Sequence, residues 1–96
     1  MILLEYYSIK IILHPSIPSV QRLIEGKIDA ETNLLDGLIF LLSEHEKVVN
    51  ILISDSDLRP GYLILSDKVE LKSTGKLYFP VKSDMEIRII PISHGG

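Results

Sequence analysis

Cysteine is absent from the 96 residues, which removes disulfides, thiolate nucleophiles and cysteine-based metal sites in one step. Any sulfur chemistry in which the chain takes part must run through something other than a side-chain thiol. An excess of positive charge is missing too. The formal net charge is −3, and lysines and arginines are spread singly among acidic residues, so no stripe could neutralise a row of phosphates and no direct nucleic-acid partner is expected. Long apolar runs are also lacking: the longest, such as residues 38–42, fall far short of a bilayer span, and the N-terminus has neither a basic lead nor a small-residue cleavage site. No membrane partner is expected, and the chain reads as a soluble, cytoplasmic protein.

What is present suits a packed core. Apolar residues make up 46% of the chain and charged ones 24%, a balance that argues against disorder. The length suits one domain over residues 1–96.

Residues 2–13 read as a strand, with Ile9, Ile11 and Leu13 alternating with Ser8, Lys10 and Ile12. Pro15 and Pro18 then break the ladder, because neither can donate a hydrogen bond to it. A second strand is predicted over residues 20–28. Asn33 can cap a helix whose Leu34, Leu35, Leu38, Leu41 and Leu42 form one stripe at a 3.6-residue period. Gly37 inside that helix costs roughly 1 kcal/mol relative to alanine, so a close approach of helix to sheet is expected there. The helix is expected to stop near residues 45–47, and residues 48–54 to form a third strand. A turn follows over residues 55–61, with Gly61 at a positive φ.

Residues 62–65 read as a fourth strand, 66–71 as a short edge excursion, 73–76 as a turn, 77–81 as an irregular apolar segment tucked under the sheet, and 86–92 as the last strand. This order packs as an α+β fold, a mixed sheet with one helix across its face. A right-handed crossover from the second strand through the helix to the third is expected to make a parallel pair, with the two ends of the chain as central neighbours. That is the β-grasp, ubiquitin-like arrangement.

Independent catalysis finds little support. The serines have no nucleophile-elbow context and no phosphate-binding glycine loop occurs. Asp55, Ser56 and Asp57 do not continue into a calcium loop, because Arg59 takes the next alternate position. His14, His45 and His94 lack the spacings of zinc ligands. No metal site and no bound cofactor are expected. Lys10, Lys27, Lys47, Lys68, Lys72, Lys76 and Lys82 read as a solvated surface on which any one could accept an isopeptide.

The informative feature is the ending, Ser93-His94-Gly95-Gly96, which runs on past the last strand as a tail over residues 93–96. Two terminal glycines arise by chance in roughly one chain in 200 at the usual glycine frequency. A free terminal carboxylate is ionised at neutral pH and is a poor electrophile, so chemistry at Gly96 requires activation. Transfer of AMP from ATP supplies it, and glycines let an extended tail enter a narrow enzyme channel.

In Asp55-Ser56-Asp57-Leu58-Arg59-Pro60-Gly61, Val69-Glu70-Leu71 and His94-Gly95-Gly96, the chain resembles the ubiquitin-related modifiers that serve as sulfur carriers in tRNA thiolation. The resemblance is best from Ile51 to Gly96. It implies that an E1-like enzyme, using ATP, adenylates Gly96 and that a thiocarboxylate forms there. Sulfur then passes through a separate thiolase to the wobble uridine of certain tRNAs, or Gly96 is joined to lysines of target proteins. His94 and Gly95 would be the segment threaded into the activating enzyme, and the chain would be a cosubstrate, not a catalyst. The sequence departs from the family pattern in lacking a glycine pair after its first strand, in Val69 where tryptophan is common, and in Ser83-Asp84-Met85 before the last strand.

Arg88, Ile90 and Ile92 fall on one side of the last strand and Ile87 and Ile89 on the other, while one helix covers only one side. The first three would form a docking patch beside the tail; the alternative is that Ile90 and Ile92 pack against the irregular segment around Phe79. Two alternatives remain: the small, sulfur-donating subunit of molybdopterin synthase, against which His94 and the Arg-Pro-Gly turn argue, and a β-grasp interaction module whose glycines are incidental.

Overall fold

The computed structural model describes residues 5–19 and 21–92. The first strand, β1 (Tyr6–Leu13), begins within the predicted stretch, whose residues 2–4 lie outside the described residues. Its alternation holds: Ile9, Ile11 and Leu13 are fully buried, Ser8 and Lys10 are exposed, and Ile12 is half-buried. The loop that follows packs Ile17 into the core. The Arg22 guanidinium clamps that loop by donating to the carbonyls of Ile17 at 2.6 Å and His14 at 3.3 Å. The second strand, β2 (Leu23–Asp29), starts later than predicted and runs antiparallel to β1.

Helix α1 (Leu34–Leu42) follows, and the Asn33 side chain accepts a hydrogen bond from the Asp36 N–H at 2.8 Å, which fixes its start. Leu34, Leu35, Leu38 and Leu42 are buried, at roughly 1.5–3 kcal/mol each. Gly37 lies where the helix meets the sheet: a Cβ there would stand 2.3 Å from Cδ1 of Ile28. The expected close approach is observed.

Residues 48–54 differ from expectation. They belong mainly to a second helix, α2 (Glu46–Leu52), leaving only β3 (Ile53–Ser54) extended. The described residues therefore hold two α-helices, not one. The β-branched residues Val48, Val49 and Ile51 favour a strand locally, but Val48 and Leu52 sit four apart and both are buried. Tertiary packing on that helical spacing overrides propensity.

β3 pairs with β4 (Asp57–Leu58) in a separate two-stranded sheet. Asp55 and Ser56 between them both have positive φ, 52° and 60°, the backbone of a tight two-residue hairpin. β5 (Tyr62–Ser66) and β6 (Val69–Glu70) form a second such hairpin through Asp67 and Lys68. The Glu70 carboxylate accepts from the N–H groups of Ser73 at 2.6 Å and of Ile64 and Lys72 at 3.1 Å. Burial by itself pushes this carboxyl up, but those N–H groups outweigh it and hold Glu70 below its ordinary value. A 3-10 turn spans Lys76–Tyr78. The apolar segment predicted under the sheet is only half so placed: Leu77 and Val81 are buried, whereas Tyr78 and Phe79 are exposed.

The last strand, β7 (Met85–Pro91), completes a five-stranded sheet in the order β2-β1-β7-β5-β6. The ends of the chain are central neighbours, as expected, and they make the parallel pair. The predicted parallel pairing of the second and third strands is not formed, because β3 leaves the main sheet and β5 pairs antiparallel with β7. Ile64, Ile87 and Ile89 point with Ile9 and Ile11 toward the helices, which closes one core on one face of a mixed sheet.

Candidate functional site

The end of the last strand is held on both flanks. β7 runs between β1 and β5, and at its end the Ile92 N–H donates to the Gly61 carbonyl at 2.8 Å. Gly61 has φ +96°, a backbone that side-chain-bearing residues rarely adopt. The Arg59-Pro60-Gly61 turn and the end of β7 are thus in direct contact, although some thirty residues separate them in sequence. Ser93, His94, Gly95 and Gly96 lie outside the described residues.

The face of the sheet turned away from the helices divides in two. Around the start of β7 it is charged: Glu25, Lys10 and Glu86 stand in one row across β2, β1 and β7. One step toward the end of β7 the row reads Leu23, Ile12, Arg88 and Leu65, and one step further Ile90 stands opposite Leu63. Leu23 is 45% exposed and Ile92 41%, values far above those of the core. Ile12, Leu63, Leu65 and Ile90 are half-buried. A sheet face bare of helix is expected to be polar, so an apolar half beside the exit of β7 departs from what the fold requires.

Of the predicted patch, Arg88 and Ile92 are exposed and Ile90 half-buried, on the side opposite the buried Ile87 and Ile89. Arg88 pairs with Glu86 at 3.0 Å, both side chains being more than half exposed. Such a pair contributes about 0.2–1 kcal/mol, which leaves the guanidinium available to another anion. Sequence reasoning missed Ile12, Leu23, Leu63 and Leu65. The signal was an apolar residue at an outward position in each of β1, β2 and β5, which acquires meaning only once register brings them into line with β7.

Other chemistry is sparse. The His14 ring bonds Ser16, and His45 begins α2 without a side-chain cap. Among the described residues no group of three or more His, Asp or Glu side chains could hold a metal ion, and no helix is long and apolar enough to cross a membrane. A cleft of about 570 Å³ between Leu34, Leu71, Phe79 and Met85 opens at the start of β7, away from its end.

No protein-family profile matches the chain, and no curated protein matches its sequence significantly. Solved structures do. The crystal structure of SAMP1 from Haloferax volcanii superposes with a TM-score of 0.72 at 17% identity, over 93% of this chain and 99% of that one. The small archaeal modifier protein 1 of Methanosarcina acetivorans gives 0.68 at 19% identity, over 96% and 99%. Urm1 from Trypanosoma brucei gives 0.69 at 19%, over 95% and 97%. The chain has the ubiquitin-like β-grasp fold. The likeness spans nearly the whole of each protein.

Proposed function

We propose that this chain is a ubiquitin-like sulfur carrier and protein modifier of the cytoplasm, with Gly96 as its reactive carboxylate. An E1-like enzyme transfers AMP from ATP to that carboxylate and releases pyrophosphate. Sulfide equivalents then displace AMP to leave a thiocarboxylate for tRNA wobble-uridine 2-thiolation, or a lysine amine displaces it to leave an isopeptide. The chain is the cosubstrate in both cases. His94 and Gly95 occupy the enzyme's channel, and Arg88, Ile90 and Ile92, extended by Ile12, Leu23 and Leu63, form the docking surface.

The observation that carries this reading is the apolar half of the helix-free face, which lies beside the end of β7 and not at its start. A partner seated there lies beside Ile92, four residues before Gly96, and apolar patches on otherwise polar faces mark interaction surfaces. The fold shared with proteins named as small archaeal modifiers supports the same reading.

The test is the intact mass of the protein recovered from its native cell, with the C-terminal peptide fragmented. The expected result is replacement of one oxygen by sulfur at Gly96, or Gly96 joined to a lysine. A chain lacking Gly96 should fold unchanged and be inert. An unmodified carboxylate in every preparation, even with ATP and cell extract supplied, would overturn the proposal.

A further inference from the structure

β2 lies at an edge of the five-stranded sheet, and among the described residues nothing pairs with its open side. The Leu13 N–H donates to the Arg22 carbonyl at 2.8 Å and the Ala30 N–H to the Glu5 carbonyl at 2.9 Å. Antiparallel ladders use alternate residues, so Arg22, Ile24, Gly26, Ile28 and Ala30 turn their backbone groups toward β1. Leu23, Glu25 and Lys27 direct theirs at the open edge. Such an edge is a template for another strand.

We infer that this edge pairs with the same edge of a second copy of the chain, antiparallel about a two-fold axis at Gly26. The reason is charge. Across the outer face Glu86, Lys10 and Glu25 alternate in sign, and the row ends at the edge on an acid. Self-pairing centred on Gly26 sets Lys27 of the second copy directly opposite Glu25, and symmetry repeats the pair, so the alternation extends across the junction by one charge in each direction before it meets Ser8. Glu25 and Lys27 are also the residues whose N–H and C=O face the edge, so each charge pair coincides with a pair of backbone hydrogen bonds. Either one-residue shift of register is disfavoured as well. Moving the axis to Glu25 would set two glutamates face to face, and moving it to Lys27 would set two lysines face to face.

An independent observation lies on the helix side. Phe40 of α1 is 66% exposed and lines one shallow pocket together with Lys27, Ile28 and Asp29. The two-fold axis keeps both helices on the same side of the joined sheet. It therefore brings the two Phe40 side chains to the junction, where their exposed surface would be reduced. The dimer leaves the end of β7, two strands away, uncovered in each copy.

The test is sedimentation of the full chain from micromolar to millimolar concentration, with amide exchange read in parallel. A monomer–dimer equilibrium is expected, with protection of the Leu23, Glu25 and Lys27 amides rising with concentration. Glu25→Lys and Lys27→Glu each convert two attractive pairs into repulsive ones and should weaken self-association about tenfold or more. An equimolar mixture of these two variants should recover it, since one edge then carries two lysines and the other two acids. Thermal melts confirm that each variant is folded, and the exchange pattern of the unaltered chain stands as a test even if one is not. A chain that stays monomeric at millimolar concentration would overturn the inference. So would a dimer indifferent to Lys27→Glu, or a mixture no stronger than its components.

Discussion

Replacing Gly37 by alanine sets two effects of known size against each other. In an exposed helix interior the change stabilises by about 1 kcal/mol. Here the new Cβ would stand 2.3 Å from Cδ1 of Ile28, 2.9 Å from Cγ2 and 3.0 Å from Cγ1. The terminal methyl can swing away, but Cγ1 and Cγ2 both branch from the Cβ of a strand residue, and any staggered rotation leaves at least one of them facing the helix. The helix must lift off the sheet, at a point where Leu38 is wholly buried. Overpacking of this kind costs about 1–3 kcal/mol, so the net expectation is a loss of about 1 kcal/mol, or about 4–8 °C in Tm for a domain of this size. Urea denaturation of Gly37→Ala at unchanged m-value measures it. In an Ile28→Ala background the obstructing atoms are gone, and the same substitution should stabilise by about 1 kcal/mol. A stabilising Gly37→Ala in the unaltered chain, or an equal cost in both backgrounds, would refute the reasoning.

Glu70→Gln should cost about 1–3 kcal/mol at neutral pH, because an amide cannot accept from N–H groups on both of its ends. The Glu70 carboxyl is held low in the fold, so its stabilisation is fully present above the ordinary value near 4.3 and is lost as pH falls through the lower folded value. The stability gap between the unaltered chain and Glu70→Gln should therefore close in acid; a gap that persists at pH 2 would count against the carboxylate as its source. Ile90→Asp should cost the fold about 1 kcal/mol or less but reduce ATP-dependent activation of Gly96 about tenfold or more. Lys10→Glu, on the charged half of the same face, should leave activation nearly unchanged. Equal losses from the two variants, measured by pyrophosphate exchange with the native activating enzyme, would remove the docking surface from consideration.

Much of the fold was legible because local and tertiary signals agree. The alternation of Ile9, Ile11 and Leu13, the Asn33 cap, the leucine stripe and the positive φ of Gly61 all stand where the sequence puts them. α2 was not legible, because three β-branched residues spoke for a strand and only packing on Val48 and Leu52 decided for a helix. The parallel pair falls on β1 and β7 and not on the second and third strands for a related reason: β3 is only two residues long and does not join the main sheet. Arg88, Ile90 and Ile92 could be placed on one face from period two alone. Their companions on β1, β2 and β5 could not, since register is a property of pairs of strands and not of any one of them.

The placement of the apolar half follows from the topology. A parallel β1–β7 pair brings the carboxyl ends of both strands to the same end of the sheet, so the His14 loop and the end of β7 are neighbours, and the His14 N–H donates to the Ile89 carbonyl at 3.1 Å. On the other side the Gly61 carbonyl holds the Ile92 N–H. The strand is thus hydrogen-bonded on one flank or the other up to Ile92, and the outward residues at its end, Arg88 and Ile90, are held in register with Ile12, Leu65 and Leu63 by the same ladders that close the core. Substitutions at Ile87 or Ile89, whose side chains are wholly buried, should lower stability and docking together. Those at Ile90 should separate the two, because its side chain projects from the same rigid strand into the opposite, helix-free face.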